Sequence, residues 1–268
     1  MTFLEKLLSA SRQNNSLLCV GLDPDPALMP VPDTLEFNRA IIEATADMVC
    51  AYKPNFAFYL AQGFEGLEAL RKTVSAVPQG IPVIGDVKMG DIGNTARAYA
   101  KACYEFFGFD AVTANSYLGG DALEPFLGYT DRAVFVLCRT SNPGAADFQS
   151  LLCEGRPLYE VVAERARSWS TGGNIGLVVG ATYPQELRRV RELCPDMPLL
   201  IPGVGAQGGD LAASVRYGVD SSREKAIINA SRQVIYASRD KDYPQAARVA
   251  AQALREQINA AREGLSVG

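Results

Sequence analysis

The sequence predicts an α/β chain folded as a single (β/α)8 barrel. Eight short β-type runs alternate with amphipathic helical patterns, which is how parallel strands joined by helices read in sequence. Eight is the strand number that closes such a barrel, and 268 residues suit one. The first run is followed by Gly21-Leu22-Asp23-Pro24-Asp25-Pro26, not by the glycine pattern of a dinucleotide-binding open sheet, the competing architecture.

The elements follow in order. Residues 1–14 read as an amphipathic helix and not as a signal peptide, because no basic segment precedes a long apolar stretch. Strands are expected at 17–22, 49–54, 82–88, 110–114, 133–138, 174–180, 198–202 and 225–230. Between them, apolar residues recur at helical spacing. Ala96, Ala100, Cys103 and Phe107 form one stripe, and Leu158, Val161, Val162, Ala166 and Trp169 form another. Leu187, Val190 and Leu193 repeat the pattern, as do Ala247, Ala251, Leu254 and Ile258 in a C-terminal helix over about 243–262. Pro184 and Pro244 stand where first-turn prolines belong. No linker or repeat divides the chain, so residues 1–268 are expected to form one domain.

Composition narrows the function. The net charge is −4 and no basic run occurs, which argues against a nucleic-acid partner. No stretch of 18 apolar residues occurs, so no membrane partner is expected. Cys19, Cys50, Cys103, Cys138, Cys153 and Cys194 form no CxxC, and five of them sit in apolar runs or helix-like patterns. They read as core thiols of a reducing, cytoplasmic compartment. The chain has no histidine. Any acid–base chemistry must therefore use Lys, Asp, Glu, Tyr or Cys.

In a barrel of this kind, functional groups gather at the C-terminal ends of the strands. Nearly every expected strand delivers a polar residue there: Asp23, Lys53, the Asp86–Lys88–Asp91 cluster, Asn115, Thr140 with Ser141, Gln207 and Arg232. Asp86 and Lys88 are two apart and share a strand face with Ile84, which makes that face the interior. Two charges on an apolar interior face are costly unless paired and used. Read alone, the pair could also simply close the barrel top. Asn94 reads as the cap of the next helix.

The run Asp86-Val87-Lys88-Met89-Gly90-Asp91-Ile92, followed by Thr95, resembles the DxKxxDI signature of the orotidine 5′-phosphate decarboxylase family. The metal-dependent 3-keto-L-gulonate 6-phosphate decarboxylases share part of the motif. They carry an acid at the end of the second strand, where this chain has Lys53. The resemblance implies decarboxylation of orotidine 5′-monophosphate to UMP and CO2, the last step of de novo UMP synthesis, without cofactor or metal. It implies a charge array of Lys53, Asp86, Lys88 and Asp91, and a homodimer in which Asp91, Ile92 and Thr95 reach the partner's site. Lys88 would stabilise the carbanion and donate the proton. Asp23 would hold the ribose with Lys53, although Asp25 lies close enough to compete for that role.

Pro202-Gly203-Val204-Gly205-Ala206-Gln207-Gly208-Gly209 follows the seventh strand, and glycines free backbone N–H groups to turn toward an anion. Such a loop can also be merely flexible. The resemblance implies that Gln207 bridges base and phosphate, with Gly208, Gly209 and Arg232 on the phosphate. It also points to Ser141, in Thr140-Ser141-Asn142-Pro143-Gly144, as the reader of the pyrimidine amide edge. Arg232-Gln233-Val234-Ile235-Tyr236 is one residue longer than the family's common form, and Ser214–Lys225 reads as a long insertion. Both departures suggest a divergent bacterial branch. A metal-dependent sugar-phosphate decarboxylase and a nucleotide-binding barrel without catalysis are the alternative readings.

Overall fold

The computed structural model describes residues 1–170, 172–204 and 209–265. Among the described residues, ten strands follow in chain order: β1 (Leu18–Leu22), β2 (Ala51–Pro54), β3 (Ile84–Met89), β4 (Ala111–Ala114), β5 (Ala133–Arg139), β6 (Leu152–Cys153), β7 (Arg156–Pro157), β8 (Ile175–Val179), β9 (Leu199–Pro202) and β10 (Ala226–Ala230). Eight of them form one sheet in the order β2-β1-β10-β9-β8-β5-β4-β3. Its registered pairs are parallel, and parallel bridges from Tyr52 to Val83 and from Asn55 to Asp86 bring β3 back to β2. The ring is thereby closed, and the eight expected barrel strands are the eight observed.

Alternation along the strands separates two cores. Outward residues such as Leu18, Val20, Val112, Val134 and Ile228 pack under the helices. Inward residues such as Ala51, Ile84, Phe135, Leu200 and Ile227 fill the barrel. The helix Phe3–Gln13 closes its lower end with Phe3 and Leu7, which join the inward cluster. Phe3 meets the Phe135 ring edge-on at 5.6 Å. A capping box starts this helix: Glu5 N donates to Thr2 Oγ1 at 3.3 Å and Thr2 N to the Glu5 carboxylate at 2.8 Å. Lys6 ties it to Asp110 at 2.9 Å. With the lower end plugged by apolar side chains, the C-terminal ends of the strands form the open end.

Three local expectations are corrected. The helix Leu158–Trp169 buries Tyr159, Glu160, Ala163 and Ala166, a stripe rotated from the expected one. Leu158 N donates to Leu151 O and Tyr159 N to Gln149 O, which turns Tyr159 inward, while the small alanines let the helix lie close to the barrel. The β6–β7 hairpin was not expected. Strands of two residues carry no periodicity, and its turn rests on positive φ at Glu154 and Gly155 (53° and 80°). Asn94 is not a cap: Gly93, with φ of 52°, opens the helix Gly93–Lys101, so Asn94 falls inside its first turn and receives the Arg97 guanidinium. Ser214–Lys225, read as a long insertion, is a helix end followed by a capped turn. Its first part completes the helix Leu211–Gly218, and Asp220 caps the turn that follows through Ser222 N and Glu224 N at 3.0 and 2.9 Å.

Candidate active site

A cavity of about 430 Å3 opens at the C-terminal end of the barrel. Its centre is the carboxylate of Asp86. Oδ2 of Asp86 accepts from Lys53 Nζ at 2.9 Å, and Oδ1 accepts from Lys88 Nζ at 2.5 Å and from Thr113 Oγ1 at 2.9 Å. Three strands therefore supply one charge cluster: Lys53 from β2, Asp86 and Lys88 from β3, and Thr113 from β4. Lys53 is 4% exposed. Burial alone would discharge this ammonium, but Asp86 and then Asp23 outweigh it and raise its pKa above the usual lysine range. Burial likewise pushes the Asp86 carboxyl up, and Lys53 and Lys88 overcome it, holding the group well below the usual carboxylate range.

Simple alternation does not place Lys88. Its φ is 49°, and the β3–β4 register shifts between Gly85 and Met89. A non-glycine residue in this region is uncommon and strained, typically by about 1–3 kcal/mol, and such residues cluster at functional sites. A bulge re-aims a side chain. Here it leaves the Lys88 ammonium half-exposed at the cavity mouth while still on Asp86. Lys88 N donates to Thr113 Oγ1 at 2.9 Å, so one hydroxyl holds both the bulged backbone and the carboxylate.

The other expected residues divide into two groups. Asp23, Ser141 and Arg232 line the same cavity. Tyr236 Oη donates to Asp23 O at 2.9 Å and accepts from Asp25 N at 2.6 Å, which pins the turn. The Asp25 carboxylate is used within that turn, accepting from Ala27 N at 3.0 Å. Asp23 is therefore the one facing the cavity. Thr182 Oγ1 donates to Ser141 O at 3.2 Å, and Gln149 grips Thr140 through N and Oγ1 at 2.8 and 2.9 Å. A Cβ on Gly180 would lie 2.8 Å from Ser141, so only glycine allows this approach. Arg232 is exposed and has no ion-pair partner among the described residues.

Asp91, Ile92 and Thr95 do not line the cavity. Asp91 Oδ1 accepts from Ile92 N at 2.8 Å. Gly209 closes the base of its loop, its N–H donating to Gly203 O at 3.3 Å. Gln207 and Gly208 lie outside the described residues. Asn115 caps its own turn through Tyr117 N at 2.9 Å. Sequence reasoning missed Asn55, Thr113 and Asn229, all of which line the cavity. Thr113 and Asn229 had a readable signal, since each is a polar residue inside an otherwise apolar strand.

The sequence profile of the orotidine 5′-phosphate decarboxylase / HUMPS family matches residues 16–247. The chain belongs to this family. It is the family that the Asp86–Ile92 motif resembles. A curated orotidine 5′-phosphate decarboxylase from Ralstonia nicotianae is 54% identical over 267 residues, covering 97% of this chain and 98% of that protein. One from Thermomicrobium roseum is 52% identical over 272 residues, covering 98% and 97%. The structure of Leishmania donovani OMP decarboxylase superposes with a TM-score of 0.89 at 44% identity, covering 98% of this chain and all of that one. Leishmania donovani UMP synthase gives 0.91 at 46% identity, and this chain spans 57% of its length.

Asp86→Asn leaves the buried Lys53 ammonium without its nearest counter-charge, a change expected to destabilise the fold by about 3 kcal/mol near neutral pH. Because the folded pKa of Asp86 lies below its unfolded value, its contribution is complete above about pH 4 and is lost as pH falls through the folded value. Urea unfolding across this range should show a gap between wild type and Asp86→Asn that narrows only in acid. A gap that is constant or widens toward low pH would contradict the assignment.

Proposed function

We propose that the chain decarboxylates orotidine 5′-monophosphate to UMP and CO2, with Lys88 as the group that acts on C6. The observation that carries this reading is the Asp86 carboxylate held between two ammonium groups, with Lys88 at 2.5 Å and Lys53 at 2.9 Å. When the bond from C6 to the carboxylate breaks, CO2 leaves and the electron pair remains on C6. An ammonium fixed beside C6 stabilises that charge without having to reorganise. Its proton then passes to C6, and the Lys88 amine regains one from water. Asp86 keeps the ammonium in place and lies where the departing carboxylate would stand. A divalent cation at Asp86 would meet two ammonium groups, which disfavours the metal-dependent alternative, and the reading requires no cofactor.

The remaining groups take the rest of the nucleotide. Asp23 and Lys53 hold the ribose, and Ser141 reads the pyrimidine amide edge. Arg232 takes the phosphate together with Gln207, Gly208 and Gly209. An unpaired guanidinium at the end of the eighth barrel strand supports that role, since barrels commonly bind phosphate at the loops after strands seven and eight. No helix among the described residues is long and apolar enough to cross a membrane. Five buried free thiols fit a reducing compartment, and we place the activity in the cytoplasm.

The site is completed by a second subunit. Asp91, Ile92 and Thr95 leave the barrel mouth, and Ile92 is 60% exposed. Phe64, in the first turn of the helix Gly63–Ala76 that follows β2, and Tyr117, in the loop after β4, are 93% and 87% exposed, and β2 and β4 flank β3. Large exposed apolar residues on adjoining segments mark an interaction surface. In a two-fold dimer, whatever reaches out is also received, so both sites are completed alike.

Purified protein should consume orotidine 5′-monophosphate, followed by the change in pyrimidine absorbance, at the same rate with and without excess EDTA. Lys88→Ala should bring turnover close to zero while the fold persists. Turnover abolished by EDTA, or retained by Lys88→Ala, would overturn the mechanism.

Subunit sharing is tested by mixing inactive Lys88→Ala with inactive Asp91→Ala. After exchange of equal amounts, about half the dimers are mixed and each carries one intact site, giving about a quarter of wild-type activity. No recovery in verified mixed dimers would mean that each subunit supplies its own Asp91.

A further inference from the structure

The three residues beyond β5, Thr140, Ser141 and Asn142, line the cavity, whereas the half-buried Gln149 does not. Gln149 nonetheless holds them in place. β5 ends at Arg139, whose carbonyl takes a ladder bond from Gly180 N at 2.7 Å, and the next N–H, that of Thr140, lies past the end of the strand. It donates to Gln149 Oε1 at 2.8 Å, and the Arg139 guanidinium donates to the same oxygen at 3.4 Å. Gln149 Nε2 donates back to Thr140 Oγ1 at 2.9 Å, and the single proton of that hydroxyl goes to Asn142 Oδ1 at 2.7 Å. These partners fix the sense of the amide. Two N–H groups meet at one atom, which must be the oxygen, and a hydroxyl that already donates can only accept. A carboxylate could make the first of these bonds but not the second without releasing Asn142.

The clasp brackets Ser141. Thr140 is held on one side of it, and Asn142, tied back to Thr140, on the other. Thr182 Oγ1 holds the Ser141 carbonyl at 3.2 Å. Gly180 leaves the backbone no room to shift, since a Cβ there would lie 2.8 Å from Ser141 N, Cα and Cβ. The loop after β8 is anchored in turn by the Arg139 guanidinium, which lies 3.7 Å from the centre of the Tyr183 ring. The main chain of Gln149 ties the clasp to its surroundings, with its N–H on Ala145 O at 2.9 Å and its carbonyl on Tyr159 N at 3.0 Å. Fixing a rim turn in this way costs conformational entropy. The cost is offset where a hydroxyl must recognise a ligand, because such a group has to be held within about 0.5 Å of its place.

We infer that Gln149 is a positioning residue for base recognition: without touching the ligand, it holds the Thr140–Asn142 turn so that Ser141 stands ready against the pyrimidine amide edge. This inference rests on the reading of Ser141 as the group that meets that edge.

The test compares the affinities of UMP and of ribose 5-phosphate, which keeps the sugar and phosphate but lacks the base. The proteins are wild type, Gln149→Leu, Ser141→Ala and the double variant, with thermal unfolding of each. Gln149→Leu should bind UMP about two- to tenfold more weakly, the size of one misplaced hydrogen bond, and ribose 5-phosphate as wild type does. In the Ser141→Ala background, the same substitution should change UMP affinity little further, because the hydroxyl it positions is gone. Gln149→Glu keeps the acceptor for Thr140 N and should recover part of the affinity. A purely structural glutamine would lower Tm and weaken both ligands alike, or add its full loss to that of Ser141→Ala, and either result overturns the inference. So does an unchanged UMP affinity in Gln149→Leu. If Gln149→Leu fails to fold, Gln149→Ala is read by the same cycle. Failure of the underlying reading would appear separately, as a Ser141→Ala variant that binds UMP as tightly as wild type, and would remove the inference with it.

Discussion

A carboxylate and an ammonium group can be buried together only if each keeps the other charged, and the mouth of this barrel is built around that constraint. Asp86 and Lys53 pair at 2.9 Å in a nearly water-free position. Neither could remain ionised there alone. The pair therefore fixes the protonation state of the site before any ligand arrives. Lys88 is bound to the other oxygen of the same carboxylate while remaining open to the cavity. Thr113 completes the arrangement by bonding both Asp86 and the backbone of Lys88.

The rest of the fold makes such a cluster tolerable. The lower part of the barrel is filled with apolar side chains and plugged by Phe3 and Leu7, so the polar groups are confined to one end. The strained backbone at Lys88 is supported from β4, where Thr113 Oγ1 accepts from the Lys88 N–H. Apolar packing fills the lower part of the barrel, and the charge cluster, on which both the reaction and the fold depend, occupies its mouth. Of the four buried acceptors without partners among the described residues, Asp23 Oδ1 and Asn229 Oδ1 belong to residues lining the cavity, while Asn38 Oδ1 and Asn259 Oδ1 lie away from it.

The sequence announced the barrel clearly because parallel strands buried on both faces read as short apolar runs, and eight such runs were visible. It announced the charge cluster because Asp86 and Lys88 interrupt one of those runs. What escaped had physical reasons. The two-residue strands of the β6–β7 hairpin are shorter than any detectable period. The inward turn of Tyr159 depends on backbone bonds to Leu151 and Gln149, which no helical pattern records. The bulge at Lys88 gives the motif its geometry, yet a lysine with positive φ has no sequence signature. The choice between Asp23 and Asp25 turned on a tyrosine more than two hundred residues away. Thr113 and Asn229 were legible in principle as polar residues in apolar strands, but nothing in the local pattern said that they faced the cavity.

The central claim is that Lys88 stabilises negative charge at C6 and delivers the proton there. By microscopic reversibility, the same group must be able to remove the C6 hydrogen of the product. Incubating UMP with the protein in D2O and following the C6 proton by NMR tests this without the decarboxylation step. Wild type should replace that hydrogen with deuterium, whereas Lys88→Ala should bind UMP and exchange none. Exchange at the wild-type rate in Lys88→Ala would contradict the account.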